Sequence, residues 1–128
     1  MIVFTNGCFD VLHRGHLDLL KYCKKLGTVV VGLNSDASVK RLKGESRPLN
    51  SEKDRKYLLD SLVFVDKVII FNEDTPYNLI KEINPDIIVK GGDYNPEDVV
   101  GAEFAEVRIF ETVEGYSTTS TLQNFIDR

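Results

Sequence analysis

A chain of 128 residues is long enough for one domain with a sizeable core and too short for two, and its 42% hydrophobic and 28% charged residues are ordinary for a soluble globular protein. A net charge of −4 gives no basic footprint for nucleic acid, so any phosphate handling has to come from a local site. No apolar run approaches the ~20 residues of a membrane span and no charged-then-apolar leader opens the chain, so the expectation is a cytoplasmic protein with no membrane partner.

The first apolar run, Ile2 to Thr5, reads as a strand. A loop carrying Asn6, Gly7, Phe9, Asp10, His13, Gly15 and His16 follows, then a helix from His16 to Leu26 whose apolar face holds Leu19, Leu20, Cys23 and Leu26, with Gly27 placed for a left-handed cap. A second strand spans Thr28 to Leu33. Helices are predicted from Asp36 to Leu42 and from Glu52 to Leu62, the latter opened by a capping box of Ser51 with Asp54. Lys67 to Phe71 is a third strand. Thr75 is the predicted N-cap of a helix from Pro76 to Ile83, with the proline at its first position. Asp86 to Val89 forms the fourth strand, Asn95-Pro96 starts a short turn, Glu106 to Phe110 is the fifth strand, and a last helix runs from about Thr119 to Ile126.

Short Val- and Ile-rich runs alternating with helical periods are the pattern of an α/β fold: a Rossmann-like parallel five-stranded sheet with helices on both faces, filling one domain over residues 1–128. Right-handed crossovers put the loops 6–15, 34–36, 72–75, 90–95 and 111–117 at one edge of that sheet. These loops hold most of the Gly, Asn, Asp and Thr, which a single phosphate-rich crevice explains.

The strongest local signal lies in the first loop. His13 and His16, the only histidines, flank Gly15 at a strand-to-helix junction, where unpaired backbone N–H groups and the positive end of a helix dipole attract an anion. The plain alternative is that the pair merely caps the helix. Asp10 is as suited to an Asx turn as to direct contact. Gly91 and Gly92 let the backbone come close to a flat base or ribose, and Asp93 could accept from hydroxyls; a tight turn is the competing reading. Lys40, Arg41, Lys43 and Arg47 are a basic cluster that composition alone assigns equally to a solvated face. Ser117, Thr118 and Thr119 are first of all N-caps. Cys8 and Cys23 read as free thiols, and a zinc site of these cysteines with the histidines matches no ligand spacing, so no protein-bound metal is expected.

His13-Arg14-Gly15-His16, with Thr5-Asn6-Gly7-Cys8-Phe9-Asp10 before it and Ser117-Thr118-Thr119 late in the chain, resembles the H-x-G-H signature set of the cytidylyltransferase-like nucleotidyltransferases. The runs 34–38, 41–48 and 89–94 are most similar to heptose-1-phosphate adenylyltransferases. The resemblance implies that His13, His16 and Lys43 are catalytic. It further implies that Asn6, Gly7, Phe9, Asp10, Gly15, Gly91, Gly92, Asp93, Ser117, Thr118 and Thr119 bind nucleotide, with Arg41, Arg47 and Arg55 as possible phosphate or acceptor contacts. The implied reaction joins AMP from ATP to a sugar 1-phosphate, with Mg2+ carried mainly by the triphosphate. Where the glycerol-phosphate cytidylyltransferases carry an Arg, this chain has Thr112, which favours the adenylyl branch, and Tyr116 could alter the base pocket. A CTP-dependent enzyme for glycerol 3-phosphate or a similar alcohol phosphate, and a non-catalytic nucleotide-binding module, are the alternatives; no G-x-G-x-x-G supports a dinucleotide fold. A homodimer is expected, with a separate sugar kinase supplying the substrate.

Overall fold

The computed structural model describes residues 1–111 and contains one five-stranded, wholly parallel sheet in the order β3-β2-β1-β4-β5. The strands are β1 (Ile2–Gly7), β2 (Thr28–Asn34), β3 (Lys67–Phe71), β4 (Ile87–Gly91) and β5 (Glu106–Phe110); between them lie α1 (Arg14–Leu26), α2 (Asp36–Lys43), α3 (Glu52–Asp60), α4 (Tyr77–Ile83) and a 3-10 turn, Pro96–Asp98. Every predicted strand is present, several with boundaries one or two residues longer. The predicted final helix, the Ser117 to Thr119 cluster, Thr112 and Tyr116 fall outside the described residues.

Strand alternation distributes the core to both faces. Val3, Val29, Val31, Leu33, Ile87 and Val89 face one way and pack with Leu19, Leu20 and Cys23 of α1 and Leu59 of α3. Phe4, Val30 and Ile88 face the other way and pack with Ile80 of α4 and with Val99. The change of face follows from topology. The chain runs outward from β1 to β3, then returns past β1 to β4, and a right-handed crossover in the reversed direction lays its helix on the opposite side. The reversal opens a crevice at the carboxyl ends of β1 and β4.

The amino edge is held by two aspartates. Asp66 accepts from the Val29 N–H at 2.8 Å while its own N–H reaches Val29 O at 3.0 Å; Asp86 does the same to Ile2 at 2.8 and 2.9 Å. Lys24 Nζ sits 2.8 Å from Asp66, and with the Val29 N–H it keeps that carboxyl below the usual carboxylate range.

Two helix ends differ from expectation. Gly27 is extended (φ 164°), not left-handed; it is required because a Cβ there would lie 2.4 Å from the Met1 carbonyl oxygen. Pro76 is itself the N-cap residue of α4, with no side-chain cap bond, and the left-handed end belongs to Asn84 (φ 53°). By contrast Ser51 caps α3 as predicted, its Oγ accepting from Asp54 N at 3.2 Å.

Gly101 (φ 93°) lets the chain pass under the second core: a Cβ would meet Ile88 Cδ1 at 2.8 Å and Ile80 Cγ2 at 2.9 Å. Gly101→Ala is expected to lower stability by ~1–3 kcal/mol through backbone strain and overpacking together. Urea unfolding followed by circular dichroism measures it; an unchanged midpoint would show that this approach is not tight.

Candidate active site

The first turn of α1 is closed by the histidines themselves. His13 is the N-cap, its Nδ1 accepting from Gly15 N at 3.1 Å, and His16 Nδ1 accepts from His13 N at 3.3 Å. Capping is therefore a real role of the pair. It also has a chemical result. An Nδ1 that accepts a backbone N–H leaves Nε2 as the nitrogen carrying the proton of a neutral imidazole. The two rings stack, centroids 3.9 Å apart and 23° between planes, with Phe9 tilted against His16 at 5.1 Å. Burial lowers the pKa of both; for His16, burial, His13 and Lys43 together bring it down to about 4. No acidic residue occupies the first turn of α1, so no side-chain charge offsets the positive end of its dipole there.

These groups line a crevice of about 340 Å³ at the β1/β4 switch point. Asn6, Gly7 and Phe9 come from β1 and its loop, His13, Gly15 and His16 from α1, Lys43 from the last turn of α2, and Gly91 and Gly92 from the end of β4. Gly7 permits the close approach of Phe9, whose ring would lie 3.1 Å from a Cβ at that position. Phe9 itself takes a left-handed backbone (φ 47°), a conformation that costs a bulky residue energy and is held here by its burial. Asp93 lies apart, lining a neighbouring groove with Gly92, Ile109 and Glu111.

Four residues proposed for ligand contact are engaged elsewhere. Arg55 has no exposed side-chain surface: Nε donates to Asn50 O at 3.0 Å, Nη1 to Cys8 O at 2.8 Å and Asn34 O at 2.7 Å, and Nη2 to Asp36 Oδ1 at 2.8 Å. It is a structural pin rather than a phosphate ligand. The Asp10 carboxylate accepts from Leu49 N, Asn50 N and Arg47 Nε at 2.8–2.9 Å, so it clasps a distant loop instead of stabilising its own turn. Burial raises its pKa, but the N–H groups of Asn50 and Leu49 and the Arg47 guanidinium outweigh that and hold it low. Arg47 joins the same clasp through Nε and does not line the crevice, while its buried Nη2 finds no hydrogen-bond partner among the described residues. Arg41 pairs with Asp74 at 2.8 Å and with Asn72 O, tying the β3 loop to α2.

Five lining residues, Thr5, Cys8, Leu19, Lys90 and Tyr94, are absent from the candidates read off the sequence. Lys90 and Tyr94 form the β4 wall, the Lys90 Nζ lying 5.2 Å from the Tyr94 ring centroid. A lysine at a strand end carries no local signal; only the sheet order places it opposite α1. Cys8 also lines the crevice as a free thiol, its pKa pushed up by burial, with Lys43, Arg55 and Arg47 pulling it back. Cys23 is buried in the core, its pKa driven up to about 12. Among the described residues no three His, Cys, Asp or Glu side chains converge to hold a metal ion, and no helix is long and apolar enough to cross a membrane.

Residues 4–123 match the model of a family described as cytidylyltransferase-like. The chain is 61% identical over 124 residues to the bifunctional protein HldE of a Nitratiruptor species, covering 95% of this chain and 27% of that protein. To the bifunctional protein HldE of Campylobacter concisus it is 57% identical over 128 residues, covering 98% and 27%. It thus spans about a quarter of the length of the curated relatives it matches. A lipopolysaccharide core biosynthesis protein from Thermoplasma volcanium has the same fold, with a TM-score of 0.73 and 31% identity over 91% of this chain and 98% of that one.

Two outcomes follow from this geometry. Removing the Arg55 guanidinium in Arg55→Met strands several buried acceptors and should lower stability by ~3–5 kcal/mol; a loss of nucleotide binding with stability intact would restore the ligand role. The depressed histidine pKa values set the sign of a pH dependence. Between the unfolded value near 6.5 and about 4 the unfolded chain binds more protons, so stability is full above pH ~6.5 and declines as the pH falls through that window. His13→Asn with His16→Gln keeps residues able to cap and should flatten the decline, measured as urea midpoints between about pH 7.5 and about pH 4.5.

Proposed function

Starting from the fact that the chain belongs to the cytidylyltransferase-like family, we propose that it transfers AMP from ATP to a sugar 1-phosphate, with D-glycero-D-manno-heptose 1-phosphate favoured. The observation that carries this reading is one crevice at the sheet's switch point where two neutral imidazole donors, an acid-free helix N-terminus and Lys43 meet two glycines of β4. The heptose branch is supported by the identity to two HldE proteins and by the likeness to a lipopolysaccharide core biosynthesis protein.

In the proposed reaction an oxygen of the sugar phosphate bonds to the α-phosphorus of ATP, the bond from that phosphorus to the bridging oxygen breaks, and pyrophosphate leaves. No general base is required, because a phosphate monoester with a second pKa near 6 is already ionised at neutral pH. The protein's task is alignment and stabilisation of charge. His13 and His16 Nε2–H groups donate to phosphate oxygens whose charge grows in the transition state, and being neutral they hydrogen-bond without giving the proton up. Lys43 supplies positive charge beside them, and Gly15, with no side chain, lets a phosphate come close to the positive end of α1. Gly91 and Gly92 form a wall flat enough for the nucleoside, and Asp93 stands outside it. Ser117, Thr118 and Thr119 remain candidates for the triphosphate. Magnesium enters as part of the substrate, bridging the triphosphate and keeping most of its waters. A sugar kinase supplies the acceptor, and a homodimer is the expected assembly.

His16→Ala is expected to cut turnover by ~100-fold or more with the protein still folded by circular dichroism, and His16→Gln, which retains the cap, should lose nearly as much. The decisive assay is pyrophosphate release with magnesium, crossing ATP, CTP, GTP and UTP against heptose 1-phosphate, glycerol 3-phosphate and ethanolamine phosphate. Release with ATP and the heptose alone is the expected result. Release with CTP would move the chain to the cytidylyl branch, and nucleotide binding without release in any combination would leave a binding module.

A further inference from the structure

Every residue from Lys40 to Ser46 is exposed, so Lys43 lines the crevice from a stretch of chain that buries nothing. Upstream, α2 is anchored by the buried Val39 and by Ser38, whose Oγ donates to Glu73 O at 3.0 Å. Downstream, the chain is held again only where Asp10 takes Arg47. A lysine on such an exposed final turn loses its place to fraying unless something outside the helix holds that turn.

Arg41 does so. Among the described residues it alone in this stretch bonds through its side chain to another element: Nε donates to Asp74 Oδ1 at 2.8 Å, and Nη2 donates to the Asn72 carbonyl. The loop that receives it is itself fixed, since Phe71 and Pro76 at its ends are buried and Phe71 O accepts from Ser35 N at 2.9 Å. Two residues along a helix turn ~200° about its axis. Arg41 therefore holds the loop after β3 from one side of α2 while Lys43 lines the crevice from the other. Two bonds from one planar guanidinium fix rotation as well as distance, which a single ammonium contact would not. An exposed ion pair adds little to global stability, so the value of this tether lies in where it leaves Lys43.

Building on the transferase reading above, we infer that Arg41 is a positioning residue: its fork on Asp74 and Asn72 sets the last turn of α2 so that Lys43 meets the triphosphate. Arg41 itself touches no substrate. The loop after β3, remote from the histidines in sequence, thereby takes part in binding the nucleotide.

Calorimetry on the full chain with magnesium and a non-hydrolysable ATP analogue tests this. Lys43→Met should weaken binding by about tenfold, the scale of one hydrogen bond to a charged group, and Arg41→Met by about threefold or more. Combined, the two should bind no more weakly than Lys43→Met alone, because the tether acts only through the lysine. Asp74→Ala separates position from field. Removing a negative charge tightens the binding of an anion if the pair acts only through space, whereas losing the tether weakens it, by about threefold or more. Lys40→Met, which removes an untethered cation beside Arg41, should change affinity by less than about twofold. The inference is overturned if Arg41→Met leaves affinity unchanged, if its loss adds in full to that of Lys43→Met, if Asp74→Ala binds more tightly, or if Lys40→Met loses as much as Arg41→Met. Pyrophosphate release by the wild type is scored separately. Binding coupled through Lys43 without release in any combination sinks only the transferase reading; release with additive binding losses sinks only the tether.

Discussion

The Arg55 guanidinium is the interaction on which the site depends. It reaches the loop after β1 at Cys8, the junction of β2 and α2 at Asn34 and Asp36, and the segment before α3 at Asn50, all from a position with no exposed side-chain surface. A charge so placed is tolerable only when its donors are satisfied, since an unpaired buried cation costs several kcal/mol. Three segments must therefore converge for the guanidinium to be buried at all. Asp10 completes the arrangement from the other direction, its carboxylate gathering the 47–50 backbone, and Asn50 Nδ2 returns a bond to Asp10 O at 2.6 Å. Asp36 adds a reciprocal pair with Glu52, at 2.8 and 3.0 Å. The crevice floor is rigid because these ionic and backbone bonds are interlocked, and the histidines stand on it.

A second constraint acts on the histidines. Their Nδ1 atoms complete the helix cap, so a proton cannot be added there without losing a backbone bond, and burial beside Lys43 opposes it as well. Positive charge at the crevice is left to Lys43, Lys90 and the helix dipole. Hydrogen-bond direction and electrostatic attraction are thereby assigned to different groups.

Much of this was legible from residues alone, and the boundary is physical. Val- and Ile-rich runs of four to six residues identified every strand, and the Gly-punctuated loop with both histidines pointed to the crevice, because those signals are local. Arg55 and Asp10 were misplaced because most of their partners lie between 19 and 47 residues away in sequence, and an Arg on a helix looks the same whether it faces solvent or a ring of carbonyls. Gly27 was read as a helix cap when its constraint is the Met1 carbonyl, a neighbour created by strand pairing. Lys90 and Tyr94 became visible only through the reversal of strand order that sets β4 beside β1.

That reversal also divides the site in time. All the partners of Arg55 and Asp10 lie between residues 8 and 55, and the longest of these links spans 47 residues, whereas the bond from Ile2 to Asp86 that registers β4 spans 84. Loop closure becomes more costly with separation, and a chain emerging from the ribosome completes β1 to β3 before β4 exists. The imidazoles and Lys43 are thus set in a nearly finished half-sheet, while the wall bearing Lys90 forms only once β4 has been made. A nascent chain halted between β3 and β4 would carry a half-built crevice, open along the flank of β1 that only β4 can close.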